Sequence, residues 1–159
     1  GNAKIIGDAN PDFIVGFANT FNYGRFSLYS VLDWQQGGQK FNETAQYLTY
    51  VYRSQFSDRS AAAGKPLNFT TQVFNASQVT DYWIEKTTYL ALRELSLSYK
   101  LPTEKLGLAK VLKNANLSLI GRNLFIWTNF KGVNVDGIGQ DGFNYPSYRI
   151  ISGKLTFNF

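Results

Sequence analysis

Arg149-Ile-Ile-Ser-Gly-Lys-Leu-Thr-Phe-Asn-Phe159, the final stretch of the chain, decides how the rest is read. From Ile151 the odd positions are Ile151, Gly153, Leu155, Phe157 and Phe159, and the even ones are Ser152, Lys154, Thr156 and Asn158. A period of two with one apolar and one polar face is a β-strand. A soluble domain gains little from ending on a bare Phe with another Phe two residues back. Against acyl chains, with the polar face turned to a wet lumen, the same alternation is stabilising. The alternative is an ordinary amphipathic last strand of a soluble β-protein.

Composition points toward lipid. Aromatic residues make up 16% of the 159 positions and charged residues 17%, where a soluble surface is about a quarter to a third charged. No apolar run is longer than Leu124 to Trp127, so no helix can span a bilayer. Spanning structures without helices are closed barrels, because lipid cannot satisfy open backbone groups. Cysteine, histidine and methionine are absent, which removes thiolate and imidazole chemistry and the usual zinc ligand sets. No residue pair forms a catalytic constellation; neither an enzyme nor a cofactor is expected. The net charge of +5 has its densest run at Lys100, Lys105, Lys110 and Lys113. That run reads as a solvated turn, and no nucleic-acid partner is expected. The chain opens on Gly1 with neither an initiator Met nor a signal peptide, as expected of a processed, truncated or partial polypeptide.

Four more strands precede the last. The first runs from Asp12 to about Asn22 and alternates Phe13, Val15, Phe17 and Phe21 with smaller residues, before a tight turn at Tyr23-Gly24. The second, Arg25 to about Gln36, sets Phe26, Leu28, Leu32 and Trp34 against Ser27, Tyr29, Asp33 and Gln35. Phe26 and Trp34 fall near opposite membrane interfaces, where aromatic girdles belong. A third strand is expected from Trp83 to Leu101. Its leucines switch from even to odd positions across Arg93-Glu94, which predicts a β-bulge there. Pro102 ends it, and a turn through Asn114 follows, with room for one helical turn. The fourth strand, Ala115 to Trp127, alternates Leu117, Leu119, Phe125 and Trp127 with Asn116, Ser118 and Arg122, while Asn123 breaks its apolar face.

Between these strands, short and long connections alternate, as in outer-membrane barrels with short periplasmic turns and long outer loops. The connection from Gly37 to Asp81 is the longest; a partly helical stretch is expected between Asn42 and Phe56. Its Tyr47, Tyr50 and Tyr52 are candidate substrate-contacting aromatics, with packing inside the loop as the simpler role. The loop from Thr128 to Ser147 carries Gly137-x-Gly139-x-x-Gly142, but no βαβ unit surrounds it, so it is not read as a dinucleotide site. Asn134, Asp136, Asp141 and Asn144 carry oxygens suited to calcium without the spacing of an EF-hand; no metal is expected and the loop reads as merely glycine-rich.

Several motifs resemble one family. The ending on Phe159 resembles the terminal strand of bacterial outer-membrane barrels. Tyr89-Leu-Ala-Leu-Arg-Glu-Leu-Ser-Leu-Ser-Tyr-Lys-Leu-Pro102 and Gly121-Arg-Asn-Leu-Phe-Ile-Trp-Thr128 resemble strands of SusC/RagA-type TonB-dependent transporters. Tyr145-Pro146, Arg149 and Gly153 fit that family's final loop and strand, and Asn10-Pro-Asp-Phe13 matches a strand entry. Asn134-Val-Asp136 departs from the usual Asp-Pro-Glu of the penultimate loop.

The resemblance implies an all-β fold: about five antiparallel strands of a transmembrane barrel of about 22, with long extracellular loops. It also implies an outer-membrane importer of glycans or peptides in Bacteroidota, with a SusD-like lipoprotein lid, a TonB complex, membrane lipid and the barrel-assembly machinery as partners. The plug and the TonB-contacting segment belong to an N-terminal part absent from this sequence, which on this reading is the C-terminal barrel portion from 1 to 159. Leu155, Phe157 and Phe159 are then the expected assembly signal. Two other readings stay open: a soluble β-barrel or sandwich with an apolar ligand inside, and a structural outer-membrane β-protein.

Overall fold

The computed structural model describes residues 4–65, 81–105, 107 and 111–159. Residues 66–80 of the long connection, and residues 106 and 108–110 of the stretch where a helical turn is expected, lie outside the described residues. The elements are β1 (Pro11–Tyr23), β2 (Phe26–Gly37), β3 (Gln39–Phe41), α1 (Glu43–Tyr50), α2 (Gln55–Ala62), a 3-10 turn (Asp81–Trp83), β4 (Ile84–Lys86), β5 (Tyr89–Lys100), β6 (Asn114–Thr128) and β7 (Ile150–Asn158). They fall into two units. The sheet unit comprises residues 14–34, 90–127 and 147–159, and the loop unit residues 1–13, 35–89 and 128–146.

The large sheet runs in the order β1-β2-β5-β6-β7. Gly24, at φ 57°, makes the β1–β2 turn with Arg25. That turn comes one residue later than expected, because Tyr23 is still in the strand. Lys100 N–H donates to Arg25 O and Leu101 N–H to Ala115 O, both at 2.8 Å, so the end of β5 meets the start of both its neighbours. β6 and β7 are antiparallel, with Leu117 opposite Leu155, Leu119 opposite Gly153 and Gly121 opposite Ile151. The sheet does not close: β1 and β7 each keep a free edge among the described residues.

Burial in this sheet is inverted relative to a soluble domain. Phe17, Leu119, Phe125 and Trp127 are all more than half exposed, and Leu28 and Trp34 stand out from β2 on the expected face. The polar face is where side chains bond to one another. Ser98 and Ser118 share a hydrogen bond of 2.7 Å, Arg93 Nη2 lies 2.9 Å from Asp33 Oδ2, and Arg122 Nε lies 3.0 Å from Glu94 Oε2. Apolar row out and polar row in is what a barrel wall between lipid and lumen requires. No helix among the described residues is long and apolar enough to cross a membrane.

The expected third strand is in fact two. Ile84–Lys86 pairs with β3, Lys40 opposite Glu85, as a separate two-stranded sheet. The break falls at Thr87-Thr88, whose side chains are taken by the end of β2. Thr88 Oγ1 accepts the Gly37 N–H at 3.0 Å, and Thr87 N–H donates to Gly38 O at 3.0 Å. Gly37 and Gly38 both sit at φ 77°, a conformation that residues with a Cβ rarely adopt, and this pair turns the chain out of β2. Within β5 the phase does slip as expected. Tyr89 and Ala91 are buried on odd positions and Ser96 on an even one, while consecutive Arg93 and Glu94 bond to opposite neighbours. The left-handed residue, however, is in β6, at Asn123 with φ 50° beside Arg122. Asn tolerates that region better than most residues, and its Nδ2 donates to Tyr148 O at 3.2 Å.

Candidate functional site in the loop unit

The connection between β2 and β5 is not a structureless span. Asn42 caps α1, its Oδ1 accepting the Ala45 N–H at 2.9 Å, which satisfies one of the orphan donors of a helix start. The buried residues of α1 are polar: Thr44, Gln46 and Thr49. Thr44 accounts for this, since its N–H and its Oγ1 both donate to Asp141 O at 2.9 Å, and Oγ1 accepts the Phe143 N–H at 2.7 Å. Asp141 N–H in turn donates to Phe41 O at 2.9 Å. The glycine-rich loop is thereby laced to the start of α1 by main-chain and hydroxyl bonds. Apolar burial here is confined to residues such as Trp83, Phe130 and Val135.

Lys40 sits at the centre of this lacing. Its ammonium donates to the carbonyls of Asn134, Val135 and Gly137 at 3.0, 3.1 and 2.5 Å, with the Phe130 ring 5.8 Å away. Burial lowers its pKa from the ordinary 10.5, and the charges of Asp141 and Asp136 work against that shift. Asp141 is fully buried; Oδ2 accepts the Val133 N–H at 2.8 Å, and Oδ1 has no hydrogen-bond partner. Of the oxygens considered for calcium, Asp141 Oδ2 is engaged within the protein and Asp141 Oδ1 is not. The carbonyls of the loop face a lysine, and Asn144 donates to Gln140 O at 3.4 Å. Among the described residues no cluster of acidic side chains is placed to hold a metal ion.

Beside this core lies a groove of about 570 Å³, within the range of small-ligand sites. Arg59, Tyr82, Trp83, Glu85 and Lys131 line it, with Thr49 and Ser54, whose hydroxyls are 3.0 Å apart. Glu85 is committed: Oε1 accepts from Asn42 Nδ2 at 3.1 Å and Oε2 from the Lys131 N–H at 2.7 Å. Tyr82 packs edge-on against Trp83 at 5.0 Å and remains 54% exposed. Arg59 and Lys131 are exposed, and neither has an ion pair among the described residues.

Tyr47, Tyr50 and Tyr52 do not line the groove. Tyr47 stands edge-on to Phe143 at 5.2 Å, and all three rings are about half exposed. The groove residues escaped the sequence reading because Arg59, Tyr82 and Lys131 share no motif and come from three separate segments. In the sheet unit, Arg25, Lys100 and Lys113 line a smaller recess of about 280 Å³ with Glu104, so part of the lysine run converges on the β1–β2 turn. Leu155 and Phe157 are exposed on β7, and Phe159 just beyond it is 77% exposed.

No protein-family model matches the chain. Over 179 aligned positions, 99% of its length, it is 27% identical to TonB-dependent receptor P26 of Formosa agariphila. Over 173 positions, 98% of its length, it is 28% identical to TonB-dependent receptor P3 of the same organism. It spans 18% and 17% of those two relatives. Among solved structures it matches the RagAB peptide transporter with a TM-score of 0.76 at 19% identity, over 99% of this chain and 18% of that one. The RagAB peptide importer in its open-open state matches with a TM-score of 0.72 at 19% identity, over 98% of this chain and 18% of that one. The fold is therefore that of a barrel segment of this type, with a sheet that is not closed.

Proposed function

We propose that this chain, a SusC/RagA-type TonB-dependent barrel segment of the bacterial outer membrane, supplies five wall strands and a folded outer-loop unit to a nutrient importer. The observation that carries this reading is the inverted burial of the sheet, with aromatic and aliphatic rows outward and an ion-paired row inward. The receptor names of its relatives and its likeness to the RagAB peptide transporter support import over a purely structural role. The imported compound is a glycan or a peptide. In this reading the segment is the C-terminal part of the barrel, and its loop unit faces the cell exterior, where a SusD-like lipoprotein lid would meet it. The TonB complex acts through the remainder of the protein. Leu155, Phe157 and Phe159 present the terminal strand to the barrel-assembly machinery, and Tyr47, Tyr50 and Tyr52 lie on the outer surface available to substrate.

The test is a pair of substitutions on adjacent residues of β2. Leu28→Arg sets a cation against lipid, at a cost of about 2–4 kcal/mol near the midplane. Ser27→Arg, on the ion-paired face, is expected to cost little. In the full-length protein the heat-modifiable folded band should weaken for Leu28→Arg and persist for Ser27→Arg. Equal behaviour of the two would remove the membrane assignment of this sheet.

A further inference from the structure

We infer that the groove bounded by Arg59, Tyr82 and Lys131 is a subsite for carboxylate groups on an oligomeric substrate, an inference that rests on the importer reading above. Three observations converge on it. The groove brings two exposed cations, Arg59 and Lys131, to one opening, and the acid beside them, Glu85, has both oxygens already bonded within the protein. The opening therefore sets two cationic side chains against one carboxylate, whose oxygens are both already bonded to neutral donors. Second, its floor is built rather than fluid: Asn42, fully buried, joins Trp83 O to Glu85, and Glu85 fixes the backbone of Lys131. A preorganised rim loses less ordering entropy on binding than a mobile one. Third, the lining is amphipathic. The half-exposed Tyr82 ring offers an apolar surface, while Gln55 offers an amide group.

This combination suits a chain of polar units whose carboxylates are spaced along an otherwise uncharged backbone. Arg59 supplies the planar fork that pairs with a carboxylate through two parallel bonds, and Lys131 supplies a point charge for a second one. Acidic sugars and acidic peptides share this chemistry, and the groove reads the carboxylate.

The experiment uses the full-length transporter purified from outer membranes in detergent. Its heat-modifiable band and detergent-dependent extraction report on the importer reading independently of any binding. Short oligogalacturonate and a short oligoglutamate peptide are titrated calorimetrically beside their uncharged counterparts, methyl-esterified oligogalacturonate and oligoglutamine. At least one acidic oligomer is expected to bind about tenfold or more tightly than its neutral partner, about 1.4 kcal/mol. The tighter of the two acidic oligomers identifies the source. That preference should shrink as salt rises and vanish in Arg59→Gln/Lys131→Gln, while Arg59→Lys keeps part of it. Equal binding of acidic and neutral oligomers, no binding of either acid, or a preference unchanged in the double variant would each overturn the inference. Should the double variant fail to give a folded band, the salt dependence of the unaltered protein decides.

Discussion

Replacing Lys40 by Met tests whether the loop unit is organised around a buried charge or only passes beside one. The side chain is 9% exposed, and its ammonium is surrounded by three carbonyls from the glycine-rich loop. Met matches its length and takes away the donor and the charge. Two losses follow: the carbonyls of Asn134, Val135 and Gly137 lose their donor, and the buried carboxylate of Asp141 loses its neighbouring cation. Removing one member of a buried charge arrangement costs about 3–5 kcal/mol. The lowered pKa of Lys40 means that its burial already carries a penalty, which Met relieves. The lower end, about 3 kcal/mol, is therefore expected. Hydrogen exchange in the full-length protein provides the readout. The amides of Thr44, Val133, Asp141 and Phe143, all bonded within this lacing, should exchange about a hundredfold faster. Those of Lys100 and Leu101 in the sheet unit should not change. Adding Asp141→Asn to Lys40→Met removes the stranded charge and should recover about 1–2 kcal/mol. If the double variant loses as much as the two single losses added together, or if the loop amides stay protected in Lys40→Met, the reasoning fails.

The pH dependence of the same group has a defined sign. Between the lowered pKa of Lys40 and 10.5 the unfolded chain holds this proton more tightly than the folded loop does. Its contribution to loop stability therefore rises with pH across that window and is flat below it, which exchange protection of the Val133 amide on the alkaline side can follow. A cysteine placed at Ala62 in α2, in a background otherwise free of cysteine as this sequence is, should be labelled in intact cells; labelling only after the envelope is opened would reverse the topology. Burying one Phe contributes only about 1.5–3 kcal/mol, so deletion of Phe159 should reduce insertion into the outer membrane while inserted molecules transport normally. Normal insertion with lost transport would move Phe159 to the substrate path. Asn123→Val forces a β-branched residue into the left-handed region and should cost about 1–2 kcal/mol, whereas Asn123→Gly keeps the backbone and should be milder. Equal losses in thermal unfolding would discount the strain.

The wall was legible in the sequence because each wall residue falls on one of two faces, one apolar and one polar. In β2 the alternation from Phe26 to Gln35 could be assigned to two faces without knowing any partner strand. The ends were harder, because Thr87 and Thr88 look like strand residues and only their bonds to Gly37 and Gly38 divide β4 from β5. The phase slip in β5 could be read from its leucines, yet the backbone irregularity appears across the ion pair at Asn123, where a polar residue inside an apolar row was its one trace. The loop unit was least legible. Thr44 and Asp141, or Lys40 and Gly137, meet across most of the chain through main-chain atoms, and carbonyl groups leave no mark on residue identity. The same is true of the groove, where Glu85 looks like a free acid until Asn42 and Lys131 are seen to occupy it.

A unit whose largest fully buried side chains include Asn42, Thr49 and Asp141 should also respond to temperature in its own way. Exposure of apolar surface raises the heat capacity of unfolding and exposure of polar surface lowers it. With so many polar groups inside, the loops should open with a smaller heat-capacity change, and a flatter stability curve, than an apolar interior of the same size. Their resistance to heat then leans on the enthalpy of hydrogen bonds, those of Thr44, Asp141 and Lys40 foremost, beside the burial of Trp83, Phe130 and Val135.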